Sequence, residues 1–248
     1  MNKLQKIGRF CADIVYPNRC PCCNNFIMWN KYLCAECEKK VLIDIDELCQ
    51  KCGKRQKECI CMNLLKYDRA FAVSYYENEA KDALINLKRA LNKNFGLFAG
   101  EKLGNLIKAD ANWLSFDGIV PVPMEKYQKF TRGYNQAEII AESISEVTGI
   151  PVMKNCIVKE KGYKPQHTLS AEEREKNVLC FNSGRRKLDG MSLIICDDIL
   201  TTGSTLNRCA EILKSCGAKT VCAAVASTVR KENDENLKVS NFEIEKSE

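Results

Sequence analysis

Nine of the sixteen cysteines lie between positions 20 and 61, and no other feature limits the fold of that part of the chain so tightly. The segment reads CPCCNNFIMWNKYLCAECEKKVLIDIDELCQKCGKRQKECICMN. Cys20-x2-Cys23 and Cys34-x2-Cys37 are separated by ten residues, and Cys49-x2-Cys52 precedes Cys59-x-Cys61. A two-residue gap bends the backbone into a knuckle, so that two thiolates reach one tetrahedral zinc at about 2.3 Å each. Two knuckles complete an S4 site. The first set, Cys20, Cys23, Cys34 and Cys37, fits this pattern fully. The second, Cys49, Cys52, Cys59 and Cys61, departs from it in its last pair, so one or two structural zinc sites are expected. Cys22 is a bystander. Gly53 after Cys52 suits the positive φ that such knuckles require. A disulfide framework is the rival reading, and it needs a secretory signal.

A segment of about 45 residues buries too little surface to fold alone. Zinc supplies roughly 10–16 kcal/mol of apparent folding free energy to small fingers, which makes residues 19–64 a metal-held module. Basic residues such as Arg19, Lys31, Lys51 and Arg55 sit among the ligands with Phe26, Trp29 and Tyr32. They form either a nucleic-acid contact face or a solvated surface over a small aromatic core.

The remaining cysteines, Cys11, Cys156, Cys180, Cys196, Cys209, Cys216 and Cys222, stand among apolar neighbours and read as buried small hydrophobes. Residues 1–18 have Leu4, Ile7, Phe10, Cys11, Ile14 and Val15 at helical spacing, an amphipathic helix ending near Pro17. No apolar run there has the length of a signal peptide, and none in the chain approaches a membrane span. A cytoplasmic protein is expected. The net charge of +6 permits contact with phosphates or nucleic acid without requiring it.

From about Tyr67 the composition changes. RAFAVSYY, FDGIVPVP, MSLIICDD and KTVCAAVAS read as strands. NEAKDALINLKRAL, NFGLFAGEKLGNLIK, GYNQAEIIAESISEVTG, LSAEEREKNV and STLNRCAEILKSCGA read as helices, with Gly149 and Gly217 as terminators. Strands separated by helices imply a mostly parallel sheet covered on both faces, over residues 67–230. Ligands of such sheets bind at the carboxyl ends of the strands. Residues 231–248 are charged, poor in apolar residues and expected to be disordered.

That rule gives meaning to MSLIICDDILTTGST. Ser192 to Cys196 are expected as strand, with Asp197 and Asp198 emerging at its carboxyl end. Gly203 lets the loop fold tightly on a ligand. The backbone N–H groups, the hydroxyls of Thr201, Thr202, Ser204 and Thr205, and the next helix N-terminus converge on an anion such as phosphate. Two carboxylates repel phosphate, so they serve a different part of the ligand. A ribose diol offers two donors to such acceptors, and phosphate beside a diol describes ribose 5-phosphate. No lysine stands in the loop, which excludes a P-loop. A phosphatase that uses an aspartate nucleophile needs its two Asp one residue apart, not adjacent.

IICDDILTTGST resembles the phosphoribosyl-pyrophosphate (PRPP) signature of type I phosphoribosyltransferases. More closely, the chain resembles the ComF family of competence protein F-like proteins. IVPVPMEKYQKFTRGYNQAE is similar to that family's P-V-P and Arg-Gly-aromatic-Asn-Gln-Ala-Glu segment, and KPQHTLSAEEREKNV to its Pro-Gln, Leu-Ser, Arg, Asn segment. The paired cysteines resemble its zinc ribbon. The resemblance implies an α/β fold, a type I phosphoribosyltransferase-like parallel sheet flanked by helices, after a small N-terminal zinc-ribbon module. It places Asp197 and Asp198 on the ribose hydroxyls and Thr201, Thr202, Gly203, Ser204 and Thr205 on the 5-phosphate. Val122 and Pro123 take the place of the pyrophosphate loop. Lys159 and Lys161 lie where a mobile loop reaches the pyrophosphate. The family more often has Arg there, and Lys gives a point charge rather than a fork. Arg132 is either a phosphate ligand or part of a structural salt bridge, and Arg174 and Asn177 either touch ligand or tie the mobile segment down. His167, the single histidine, reads as a loop residue.

Two functional readings follow from the resemblance. In the first, Mg²⁺ bridges the ribose hydroxyls and pyrophosphate of PRPP, and the protein acts on it as a phosphoribosyltransferase linked to DNA uptake in natural transformation. No catalytic residue or acceptor site is legible. In the second, a non-catalytic module binds single-stranded DNA or competence proteins and senses a phosphorylated ligand.

Overall fold

The apolar runs around Ile195 and Ala223 are buried along their whole length, as central strands of a sheet covered on both sides must be. In the computed structural model of the chain, residues 17–61, 65–89, 91–110, 115–159, 181–184 and 186–230 are described. Most of the amphipathic helix expected over 1–18, the LSAEEREKNV helix, Lys161, His167, Arg174, Asn177 and the charged tail lie outside them.

The main sheet is four-stranded and parallel. Its strands are β1 (Arg69–Tyr75), β2 (Gly118–Pro121), β5 (Ser192–Leu200) and β6 (Thr220–Thr228), in the order β1-β6-β5-β2. A separate antiparallel pair joins β3 (Ile157–Lys159) to β4 (Phe181–Ser183). The helices are α1 (Ala35–Val41), α2 (Asn78–Lys88), α3 (Asn94–Ala109), α4 (Lys126–Arg132), α5 (Gln136–Thr148) and α6 (Ser204–Ser215). One apolar cluster packs α2, α3 and α5 against Ile119, Ile194, Cys196 and Ala224, and the other packs α6 and β4 against Leu193, Ile195 and Val225. On α3 a glycine stripe faces α5. A Cβ at Gly100 would collide with Ser143 Cβ, and one at Gly104 would stand 2.7 Å from Val147 Cβ.

Three elements differ from the sequence reading. β5 does not end at Cys196 but continues to Leu200, because β6 offers partners that far: Asp197 aligns with Val225, Ile199 with Ser227 and Leu200 with Thr228. The two acids therefore lie in the last turn of pleat rather than beyond it. The helix α4 and the β3–β4 pair carry no clear periodicity and were not anticipated. In α4, Tyr127 and Phe130 face solvent instead of a core.

The cysteine module closes one side of the sheet. β1 is an edge strand, and an uncovered edge invites further pairing. Ile43 N–H donates to Val73 O (3.0 Å) and Ala70 N–H donates to Gln50 O (3.0 Å), so the module's linker lies along that edge.

Candidate functional site

Both cysteine sets converge. The thiols of Cys20, Cys23, Cys34 and Cys37 lie within 4.8 Å of one another, as do those of Cys49, Cys52, Cys59 and Cys61. Four ligands at ~2.3 Å in a tetrahedron stand about 3.8 Å apart. The Cys23–Cys34 and Cys52–Cys59 sulfurs are 3.8 Å apart, Cys49–Cys59 3.7 Å and Cys49–Cys61 3.5 Å. All are free thiols. Burial opposes ionisation of Cys20, yet backbone N–H groups of Cys34, Cys23 and Cys22 bring its thiol down to about 7. Burial opposes ionisation of Cys49 likewise, and the N–H groups of Cys52 and Lys51 bring it to about 7. Amides aimed at one sulfur of each set favour thiolate there, whereas burial pushes the Cys37, Cys52 and Cys61 thiols up, so the fit to a metal rests on the sulfur spacing. Both sets therefore fit zinc, including the C-x-C pair that departs from the usual spacing. Cys22 stays outside the first cradle, and burial pushes its thiol up.

At the carboxyl edge of the sheet the register assembles the second site. Pro121 pairs with Cys196, and Val122 N–H donates to Cys196 O (2.9 Å), which sets Val122 and Pro123 beside Asp197. Asn135 holds that turn from the start of α5: its Nδ2 donates to Val122 O (2.9 Å), and its Oδ1 accepts from Ala137 N–H (3.1 Å). Successive strand side chains alternate. Ile194 and Cys196 face α2, so Asp198 follows them, and Asp197 shares the face of Leu193 and Ile195. Asp197 Oδ1 accepts from Asp198 N–H (2.8 Å).

After β5 the chain turns over Thr201, Thr202 and Gly203 into α6. Gly203 is the N-cap, buried, with φ +83, a conformation that a β-carbon disfavours. Thr202 Oγ1 and Ser204 Oγ are 2.8 Å apart and both exposed. The first N–H groups of a helix have no partner within it and carry the positive end of its dipole. α6 packs on the sheet face that Asp197 shares, and its first N–H, that of Ser204, turns to Thr202 Oγ1 (3.4 Å).

The acids are held under electrostatic tension. Burial, and then the charge of Asp198, push the Asp197 carboxyl up to about 8; the Asp198 amide, Lys88 and Lys159 pull the other way. Lys88 Nζ stands 3.5 Å from Asp198 Oδ2. Burial would lower its pKa, but Asp198, then Tyr76 and Asp197, outweigh it and hold the ammonium charged.

Of the residues expected from sequence, the structure brings together Asp197, Asp198, the Thr201–Thr205 loop, Val122 and Pro123. Lys159 is near enough for its charge to act on Asp197, while its Nζ lies 5.1 Å from the Phe181 ring centre. Arg132 ends α4 and forms no ion pair among the described residues. Sequence reasoning missed Lys88. Its signal was present: it stands one turn after the buried Leu84, on the face that enters the core. It also gave Gln136 no role of its own. Gln136 is 2% exposed, and its Nε2 finds no hydrogen-bond partner among the described residues. Among the described residues no helix is long and apolar enough to cross a membrane.

Two domain families match the chain: the phosphoribosyl transferase domain over residues 131–247 and the double zinc ribbon domain over residues 11–65. The fold and these matches define a phosphoribosyltransferase-type α/β domain preceded by a double zinc ribbon, whose two cradles support structural zinc. Competence protein F of Haemophilus influenzae is 27% identical over 81% of this chain and 92% of its own length. Competence protein ComFC of Bacillus subtilis is 26% identical over 73% of this chain and 77% of its own. DNA utilization protein YhgH of Salmonella typhi is 34% identical over 42% of this chain, and the alignment spans 46% of that protein. Together these matches support a ComF family protein.

Proposed function

We propose that the protein binds PRPP or a related ribose phosphate at the carboxyl edge of its sheet, as a phosphoribosyltransferase-like protein linked to DNA uptake in natural transformation. The observation that carries this is the sequence of two carboxylates at the end of β5 followed directly by the hydroxyl-rich loop and helix start around Gly203. Asp197 and Asp198 accept hydrogen bonds from the ribose hydroxyls. Thr201, Thr202, Gly203, Ser204 and Thr205 surround the 5-phosphate with amides and hydroxyls. Val122, Pro123, Arg132, Lys159 and Lys161 serve the pyrophosphate side. Magnesium, bound with PRPP, supplies neutralisation of the pyrophosphate charge. The chain itself contributes orientation and fixed dipoles, which is what an oxocarbenium-like displacement at C1 requires. No residue is assigned as acid, base or nucleophile. The names of the Haemophilus and Bacillus relatives support the link to competence. The fourteen free thiols among the described residues support a reducing compartment, the cytoplasm.

A second reading has its own observation. The Arg19 guanidinium lies 4.0 Å over the ring of Phe26, which is 65% exposed, in the cysteine module. Such a face suits single-stranded nucleic acid by stacking and charge. In that reading the sugar-phosphate site is a sensor and the module is the effector, for DNA or for competence proteins.

Incubation with PRPP and Mg²⁺ against a panel of nucleobases and amines, with pyrophosphate release as the readout, separates the two. Release with one acceptor class supports the transferase. Binding of PRPP with no release from any acceptor supports the sensor.

A further inference from the structure

We propose that Lys54, carried by the second cysteine knuckle, is a positioning residue for the loop at Thr201–Gly203, so that a filled second cradle sets the geometry of that loop. The functional meaning of the link rests on the sugar-phosphate reading above. The link itself rests on contacts.

Lys54 follows Cys52 and Gly53 and is 7% exposed. Its Nζ donates to Leu200 O (3.2 Å) and to Val229 O (2.8 Å). Leu200 is the last residue of β5, and the loop starts immediately after it. Val229 N–H also donates to Leu200 O (3.1 Å). The carbonyl that ends β5 and the one just past the end of β6 are thus gathered by one ammonium that comes from outside the sheet. Hydrogen bonds from a charged donor are the stronger kind, and a buried ammonium without them is costly. The knuckle also presses on the same residue. Gly53 has φ +72, and a Cβ there would stand 3.0 Å from Leu200 Cδ2.

The other end of the loop is held from the same cradle. Tyr67, 1% exposed, donates its Oη proton to Cys52 O (3.2 Å). That Oη lies 3.5 Å from where a Cβ would stand on Gly203. Ile60, between the ligands Cys59 and Cys61, places Cδ1 3.8 Å from the same point. Both ends of the loop, Leu200 and Gly203, therefore rest on parts of the second cradle. A metal that fixes Cys49, Cys52, Cys59 and Cys61 fixes the backbone that carries Lys54 and Ile60, and the Cys52 carbonyl to which Tyr67 donates. The first cradle reaches α2 and the start of α3 instead, through Asn86 to Pro21 O and Asn94 to Arg19 O.

Hydrogen–deuterium exchange of the 199–207 segment, in the full chain loaded with zinc, tests this. Exchange in Lys54→Met is expected to run about tenfold faster, the loss of the charge-assisted bond to Leu200 O within that segment. Cys59→Ser should do the same and Tyr67→Phe a smaller version of it, while Cys23→Ser leaves the segment at wild-type protection. The segment of α5 serves as the reference that stays unchanged. Should Lys54→Met not fold, Tyr67→Phe and Cys59→Ser decide. Wild-type protection in these variants overturns the proposal, and so does equal acceleration in Cys23→Ser. Calorimetry of the wild type with ribose 5-phosphate is run in parallel. Faster exchange with no wild-type heat sinks the sugar-phosphate reading and upholds the link. Wild-type heat with exchange indifferent to Lys54 sinks the link and upholds the reading.

Discussion

The two cysteine cradles each gather four thiols and sit in one module, yet they face different parts of the molecule. The Cys20/Cys23/Cys34/Cys37 cradle contributes Cys20, Leu33, Cys37 and Val41 to the apolar cluster with α2, α3 and α5. The Cys49/Cys52/Cys59/Cys61 cradle meets the ends of β5 and β6 and the loop beyond. Identical coordination chemistry thus serves two purposes. One site ties down a segment too small to fold, and the other meets the loop to which the proposed sugar-phosphate site is assigned. What distinguishes them is the neighbour that each knuckle meets, and no spacing rule contains that.

Metal loss is the strongest way to break this comparison. Cys37→Ser and Cys52→Ser should each lower zinc from two ions per chain to one, read by elemental analysis, and each should cost several kcal/mol of stability. Only Cys52→Ser should also weaken ribose-phosphate binding beyond its effect on folding. Next in size, Asp198→Asn should weaken binding of PRPP with Mg²⁺ about 100-fold by calorimetry, since one charged acceptor is worth roughly that much. Its thermal transition should stay at or above the wild-type value. Gly203→Ala forces a β-carbon onto φ +83 and should cost about 1 kcal/mol in chemical denaturation, with a matching loss of affinity.

The smallest effect is one of pH. Asp197 titrates near 8 in the folded chain, against 3.8 for an ordinary aspartate, because burial and then Asp198 oppose its charge. The native state therefore holds a proton that the unfolded chain releases between about pH 4 and 8. The resulting penalty is absent below that window, grows through it and is complete above it. Asp197→Asn removes the penalty. It should raise Tm by about 2–4 °C at pH 8 and by less at pH 5, while it abolishes ribose-phosphate binding. A gain of equal size at both pH values would place the acid outside the tension described above.

Much of this was legible in the sequence because it is local. Cysteine pairs fold back on themselves, and an apolar run that ends in two acids, hydroxyls and a glycine specifies a strand, a cradle and a helix start within fifteen residues. The helices α2, α3, α5 and α6 followed from spacing alone, and α5 ends at Gly149 as its sequence implies. What escaped is long-range. Lys54 looked like one of many basic residues among the ligands, and only the fold brings it to carbonyls 146 and 175 positions away. Lys88 looked like an ordinary helix lysine until Asp198 stood opposite it. The end of β5 was set by β6, and a strand cannot show the length of its neighbour. The α3 glycines went unread in the sequence, yet a Cβ at Gly100 or Gly104 would meet α5.

The central claim is that the end of β5 grips a sugar and the loop after it grips that sugar's phosphate. Titration of the zinc-loaded protein with PRPP and Mg²⁺ in a calorimeter tests it most directly. The account predicts saturable heat with one ligand per chain, lost when Asp197 and Asp198 are both changed to Asn and the fold is intact by circular dichroism. No heat from the wild type, or undiminished heat from the double variant, would contradict it.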